Sequence, residues 1–207
     1  MNKQQATLIT LLALTTPAVH AASSVKASAE AFAHSEGIKR DIKARVTLDD
    51  VPLKPWYFLR DKPATDYNGK TIGKRLTINE VMLGLPYDVR LGGQARFVGE
   101  DIFPVAAAER YSQLTDTFAL YAAARVGFGN VQIGELHLTP KFKMDDISLS
   151  VETVTQTTSN KFLGTKVAAR LGYQLVDGFI AGIGVDTALG TGKPADYQAG
   201  LFVMIGK

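Results

Sequence analysis

The residues that could carry out chemistry in this sequence are few. His34, Ser35 and Glu36 are adjacent and supply the three residue types of a hydrolase triad. Neighbouring residues of a strand point to opposite faces, so they cannot converge on one substrate, and we interpret them as a turn. Glu135 and His137 share one strand face and form a candidate pair, although ordinary polar residues of a lumen or rim fit the same pattern. The sequence therefore predicts no catalytic residue.

Metal and cofactor sites are not indicated either. The chain has no cysteine, and Asp145-Asp146 is typical of a turn rather than of a calcium loop. The segment 182–184 (Gly-Ile-Gly) lies inside a strand pattern and precedes no helix, so it is not a nucleotide-binding fingerprint. The net charge of +3 comes from 23 basic and 20 acidic residues spread along the chain, which does not indicate a nucleic-acid partner. We expect no metal and no cofactor.

Arginines on one face of the predicted strands are the most suggestive polar set. With amide and acidic residues on the same faces they could build a salt-bridged interior of structural value, because buried charges must be paired. Alternatively, a net-positive lumen passes or binds small anions. The lumen-facing candidates are Arg90, Gln94, Arg96, Arg125, Glu135, Glu152, Arg170, Gln174 and Asp186.

Alternation with a period of two identifies the elements that position these side chains. In residues 89–97 the odd positions are apolar or small, and the even positions are Arg, Gly or Gln. The pattern recurs along the chain and predicts about ten strands, with eight as the alternative count. The predicted strands span about residues 22–34, 39–48, 74–85, 88–98, 116–128, 130–141, 146–157, 162–175, 178–190 and 197–206.

The composition of the second strand face distinguishes a membrane barrel from a soluble one. That face is mostly Gly and Ala with single Arg, Gln or Asp residues, which suits a narrow, side-chain-filled lumen better than a water-exposed surface. The apolar face is then expected to contact lipid. The lipid-facing candidates are Phe118, Leu120, Val126, Leu171, Tyr173, Phe179, Ile183, Leu201 and Val203.

Two segments do not fit the alternation. Residues 104–114 begin with Pro and continue with alanines, which predicts a short helix in a loop. Residues 49–73 contain several prolines and the aromatic run 56–58, and fit a long loop with an interfacial aromatic anchor, a loop on the barrel rim, or one more short strand. With ten strands, the long connections 49–73 and 99–115 fall on the side of the termini, where outer-membrane barrels have short turns.

The first 21 residues have the pattern of a secretory signal peptide. A basic start precedes an apolar stretch over residues 6–14, and small residues precede an expected cleavage site between Ala21 and Ala22. No later segment reaches the roughly 18 continuous apolar residues of a transmembrane helix. These features predict an exported protein with one β-barrel domain over residues 22–207.

The signal peptide, the period-two strands and the C-terminal strand resemble the small outer-membrane β-barrel proteins of Gram-negative bacteria. The resemblance implies an all-β, antiparallel up-and-down barrel that contacts outer-membrane lipids and is inserted by the barrel-assembly machinery. We therefore expect a non-enzymatic barrel with a structural or narrow-channel role. Two alternatives are a soluble periplasmic barrel that binds a lipid or other apolar ligand, and an outer-membrane lipid-modifying enzyme.

Overall fold

A closed antiparallel barrel of twelve strands makes up the described part of the chain. The computed structural model describes residues 24–34, 37–48, 51–65, 71–128, 132–190 and 196–206, so the signal-peptide prediction for residues 1–21 lies outside it. Each strand pairs with its neighbours in sequence, and β1 pairs with β12 to close the ring. The strands are β1 (Ser24–His34), β2 (Gly37–Thr47), β3 (Trp56–Thr65), β4 (Thr71–Gly84), β5 (Val89–Val98), β6 (Asp101–Gln113), β7 (Phe118–Gly127), β8 (Ile133–Met144), β9 (Ile147–Thr158), β10 (Phe162–Val176), β11 (Phe179–Gly190) and β12 (Asp196–Gly206).

The predicted all-β up-and-down barrel is confirmed, but the predicted counts of ten and eight strands are wrong. The additional strand β3 lies in the segment 49–73, for which a loop and one more short strand were the alternatives, and pairs with β2 and β4. The predicted helix over 104–114 is wrong as well, because these residues belong to β6, which pairs with β5 and β7. Among the described residues the one helical segment is the short 3-10 turn Pro86–Asp88, and no helix is long and apolar enough to cross a bilayer.

The two additional strands remove the conflict over loop lengths. The chain enters β1 and leaves β12 at the same end of the barrel, here called the terminal end. The connections at this end are residues 48–55, 85–88, 114–117, 145–146 and 177–178. Four of these five connections have only two to four residues, as expected for the periplasmic side of an outer-membrane barrel. Two of them have two residues, and in one, Asp177-Gly178, Gly178 adopts a φ of +75° that suits a two-residue hairpin turn.

Side chains alternate between the two surfaces of the barrel wall. On β12, Leu201 and Ile205 are 66% and 60% exposed, whereas the intervening Phe202 is 4% exposed. The buried residues Glu80 and Met82 likewise share one parity on β4, and their exposed neighbour Val81 has the other. The apolar residues with outward parity therefore cover the outside of the barrel, and polar residues with inward parity line its lumen.

Gly92 and Gly93 are neighbours on β5 that face opposite sides of the wall and give a matched test of packing. A Cβ atom on Gly92 would overlap the Val81 carbonyl oxygen and approach the Met82 Sδ to 2.7 Å, whereas one on Gly93 would lie 3.5 Å from the Val105 carbonyl oxygen. We expect Gly92→Ala to destabilise the barrel by about 1–3 kcal/mol, and Gly93→Ala to change its stability by less than about 0.5 kcal/mol. Urea titration of the detergent-folded barrel measures both, and equal midpoints would contradict this packing.

Candidate functional site in the barrel lumen

The structure places all nine predicted lumen candidates on the inward face of their strands. The register sets this placement: Arg90 stands opposite Glu109 on β6, and Arg125 stands opposite Glu135 on β8. The inward candidates are Arg90, Gln94, Arg96, Arg125, Glu135, Glu152, Arg170, Gln174 and Asp186. The nine candidates for lipid contact lie on the outward face: Phe118, Leu120, Val126, Leu171, Tyr173, Phe179, Ile183, Leu201 and Val203.

One charge network is centred on Glu135 and joins strands β5, β8 and β9. Arg96 donates two hydrogen bonds to the Glu135 carboxylate, at 2.8 and 2.6 Å, which is a bidentate arrangement. Gln156 Nε2 donates to the same carboxylate at 2.8 Å, and His137 Nε2 lies 3.1 Å from it. Arg96 also donates to Gln94 Oε1 at 2.9 Å. Three neighbouring side chains therefore hold Glu135 and its charge against the wall, and Gln94 in turn holds Arg96.

Arg125 is the centre of a second, more buried group on the same side of the lumen. Its Nη2 donates to the Tyr121 hydroxyl at 2.9 Å and lies 3.7 Å from Glu80 and 3.9 Å from Glu109. Tyr121 in turn donates to Glu109 at 2.8 Å, and Arg90 lies 3.4 Å from Glu109. The side chains of Arg125, Glu80 and Glu109 are 9%, 2% and 3% exposed. The Arg125 guanidinium therefore lies beside two carboxylates that have almost no access to water, and Arg90 adds a second cation at Glu109.

A third network crosses the junction at which the barrel closes. Arg170 on β10 donates to Glu30 on β1 at 3.0 Å and to Asp186 on β11 at 2.6 Å. Lys39 on β2 donates to Asp186 at 3.1 Å and to Gln198 Oε1 at 2.6 Å. These bonds link β1 and β2 to the last three strands, so they stabilise the closed ring.

Strands β2 and β3 carry a basic surface around one aromatic cluster. Arg60 donates to both carboxylate oxygens of Asp41, at 2.9 and 2.5 Å, and Lys43 lies 3.4 Å from the same carboxylate. The Arg45 guanidinium lies 4.7 Å from the centre of the Trp56 ring, which attracts it without neutralising its charge. Trp56 is 4% exposed inside the lumen, so its interpretation as an interfacial anchor or rim residue is wrong.

The lumen wall carries an excess of positive charge. Among the described side chains, leaving aside the exposed rim pair Lys74–Asp101, thirteen basic and seven acidic residues have inward parity. The basic residues are Lys26, Lys39, Lys43, Arg45, Arg60, Lys62, Arg90, Arg96, Arg125, Lys141, Lys143, Lys166 and Arg170. The acidic residues are Glu30, Asp41, Glu80, Glu109, Glu135, Glu152 and Asp186.

Sequence reasoning missed much of this wall. Glu109 was hidden in the predicted helix, and Arg60 and Lys62 lay in the predicted loop. Lys43 and Arg45 alternate with apolar residues on β2, so the period-two signal alone could have placed them in the lumen. The inward positions of β1 were equally readable from the weak alternation of alanines with polar residues.

The candidate chemical groups do not form a recognised reaction centre. His137 contacts Glu135, whose carboxylate is already held by Arg96 and Gln156. Ser35 and Glu36 lie outside the described residues. No group of three or more metal-ligating side chains occurs in the part of the chain that the structure describes.

Known proteins resemble this chain in structure but not in sequence. No protein-family model and no curated protein matches the sequence. The NanC porin matches with a TM-score of 0.59 at 11% identity, over 88% of this chain and 98% of the porin chain. The KdgM porin matches with a TM-score of 0.63 at 9% identity, over 87% and 98% of the two chains. The chain has the fold of a small porin.

A third solved structure gives the same result. The KdgM porin in complex with disordered oligogalacturonate matches with a TM-score of 0.61 at 8% identity, over 87% of this chain and 98% of that chain. At these identities the comparisons establish the fold alone. They confirm the predicted resemblance to the small outer-membrane β-barrel proteins of Gram-negative bacteria.

Proposed function

We propose that this protein is an outer-membrane channel whose lumen favours small anions. The observation that carries the proposal is the excess of thirteen basic over seven acidic inward side chains among the described residues of a closed barrel, with the rim pair Lys74–Asp101 left aside. A cationic wall attracts anions and raises the barrier for cations, as rings of Lys and Arg do in anion pores. The narrow-channel role and the salt-bridged interior are compatible, because the paired charges support the wall and the remaining cations face the solute.

The outer membrane is the proposed location because large apolar side chains are exposed on the outward face of many strands. Leu171, Ile183 and Leu201 are 45%, 58% and 66% exposed, on three consecutive strands. In water this surface would be a large exposed apolar area, whereas in a bilayer it contacts lipid. Outer-membrane lipids are then its immediate partners, the barrel-assembly machinery inserts it, and residues 1–21 direct its export. A periplasmic carrier of apolar ligands would need an apolar interior, and this lumen is lined with charges.

A non-enzymatic role is part of the proposal. Among the described side chains with inward parity there is one histidine, His137. It contacts the Glu135 carboxylate, which also accepts a hydrogen bond from Gln156. A lipid-modifying enzyme would additionally need a nucleophile or a second base held beside it. We expect lipid A of cells with and without the protein to give identical mass spectra, and a mass difference would favour the enzyme alternative.

The solute class is proposed to be carboxylates of the size of a sugar acid. The KdgM porin is described in complex with oligogalacturonate, and this chain shares the fold of that protein. The test is solute flux into liposomes that contain the purified, folded protein. We expect gluconate to enter faster than glucose, and glucose faster than the cation glucosamine. Equal rates for gluconate and glucosamine would contradict an anion-favouring channel.

A further inference from the structure

Glu152 differs from every other inward carboxylate of the described residues. The other six each lie within 4.0 Å of at least one basic side chain, as in the pairs Glu30–Arg170 and Asp186–Lys39. Among the described residues, Glu152 has neither such an ion pair nor a side-chain hydrogen bond. Its position on β9, opposite Ala168 of β10, nevertheless directs it into the lumen.

The cations with the largest electrostatic effect on Glu152 lie on the opposite wall, with a smaller contribution from His137 on the adjacent strand β8. Its electrostatic partners include Arg60, Lys62 and Lys43, which belong to β2 and β3. β3 and β9 are six strands apart in a ring of twelve, so this attraction acts across the lumen rather than along one wall. The Glu152 carboxylate therefore faces a group of three cations across the lumen.

The positive charge of these three cations is only partly compensated by the carboxylates beside them. Asp41 compensates Arg60 by a bidentate interaction and lies 3.4 Å from Lys43. Lys62 has no ion pair within 4.0 Å among the described residues, and Arg60 next to it on the same inward face adds a repulsive charge. A mobile anion that enters the lumen meets a cationic site with one fixed carboxylate on the facing wall.

We infer that Lys43, Arg60 and Lys62 form a binding site for a solute carboxylate, and that Glu152 is a built-in competitor for that site. The inference rests on the proposed channel function and assigns it a specificity-determining residue. Conduction requires a site attractive enough to draw the ion in and weak enough to release it. Without Glu152 the three cations would bind the solute carboxylate tightly. With Glu152 present, its carboxylate replaces that of the solute as the solute leaves, so release costs little free energy.

The test is block of single-channel chloride current by gluconate in planar bilayers. Glu152→Gln keeps the shape of the side chain and removes the competing charge. We expect the gluconate concentration that halves the current to fall by about tenfold, the effect of removing one unit charge at lumen distances. Asp61→Asn is the matched control, because it changes the net charge equally but alters a residue of outward parity that pairs with Arg75. We expect it to behave as the wild type.

Lys62→Gln provides the opposite change and should raise the half-blocking concentration. If wild type prefers anions and Glu152→Gln blocks like Asp61→Asn, Glu152 is not a competitor and the inference is overturned. If the folded wild type shows no anion preference, the proposed function itself fails. Heat-modifiable mobility of each variant on gels verifies that the barrel is folded before the recording.

Discussion

The variant Arg125→Met is expected to lose about 3–5 kcal/mol of folding free energy, the typical effect of removing one partner from a buried ion pair. Arg125 is the central cation for Glu80 and Glu109, whose side chains are 2% and 3% exposed. Methionine fills a similar volume, so the loss comes from Glu80, which keeps no ion pair within 4.0 Å among the described residues, and from Glu109, which keeps Arg90 alone. The Oε1 atom of Glu80 is buried and accepts no hydrogen bond, so it depends on this charge.

Unfolding in urea, monitored by the mobility shift of the folded barrel, measures the effect. The triple variant Arg125→Met, Glu80→Gln, Glu109→Gln should recover most of the stability, because it removes the uncompensated charges together with the cation. Lys143→Met is the control: this lysine is exposed near the terminal end, and its replacement should change stability by less than about 0.5 kcal/mol. A single variant as stable as the control would show that the Arg125 group does not support the wall.

The double variant Lys62→Glu, Lys141→Glu is expected to reduce the preference for chloride over potassium by at least about threefold, because the field of the lumen wall changes sign locally. The two substitutions change the inward charges from thirteen basic and seven acidic residues to eleven and nine. Neither lysine has an ion pair within 4.0 Å among the described residues, so both charges are directed at the solute rather than at the wall. Reversal potentials in a KCl gradient measure the change.

Arg40→Glu with Arg110→Glu is the matched control for this double variant. Both arginines have outward parity on β2 and β6 and are exposed, so the same change in net charge occurs outside the lumen. We expect the chloride preference of this control to equal that of the wild type. A parallel loss of preference in both double variants would mean that net charge, and not the lumen wall, sets the selectivity.

The sequence was informative wherever one strand face is apolar and the other is small or polar. The strands β7 to β12 alternate in this way, and their predicted bounds agree with the structure within a few residues. The inward and outward positions of Arg125, Arg170 and Asp186 follow from the same alternation. Period two reflects the pleat of the strand itself, so it can be read without knowledge of the partner strands.

The strands β3 and β6, which were not among the ten predicted strands, lack this contrast between an apolar and a polar face. At the start of β3, Trp56 and Phe58 point inward while Tyr57 and Leu59 point outward, so both faces are apolar. Its second half has charges on both faces, with Asp61 paired outside the lumen to Arg75. In β6 the alanines over 106–108 occupy both faces, and alanine favours helices in isolation. Barrel closure overrides these local preferences.

The pairing of charges in the lumen could not be predicted from the sequence. Arg170 bonds to Glu30, a residue 140 positions away, because β1 and β12 close the ring. The number of strands also decides which walls face each other. With ten strands Glu152 would not lie opposite β3, so its relation to Lys62 depends on a count that the sequence did not provide.

The most direct test of an anion-favouring lumen is the reversal potential of the purified wild-type channel in a KCl gradient across a planar bilayer. The thirteen basic and seven acidic inward side chains counted among the described residues predict a reversal potential of the sign set by chloride. Its magnitude should fall as the salt concentration rises, because salt screens the charges of the wall. A potential of the sign set by potassium, or a folded barrel that conducts no ions, would contradict the account.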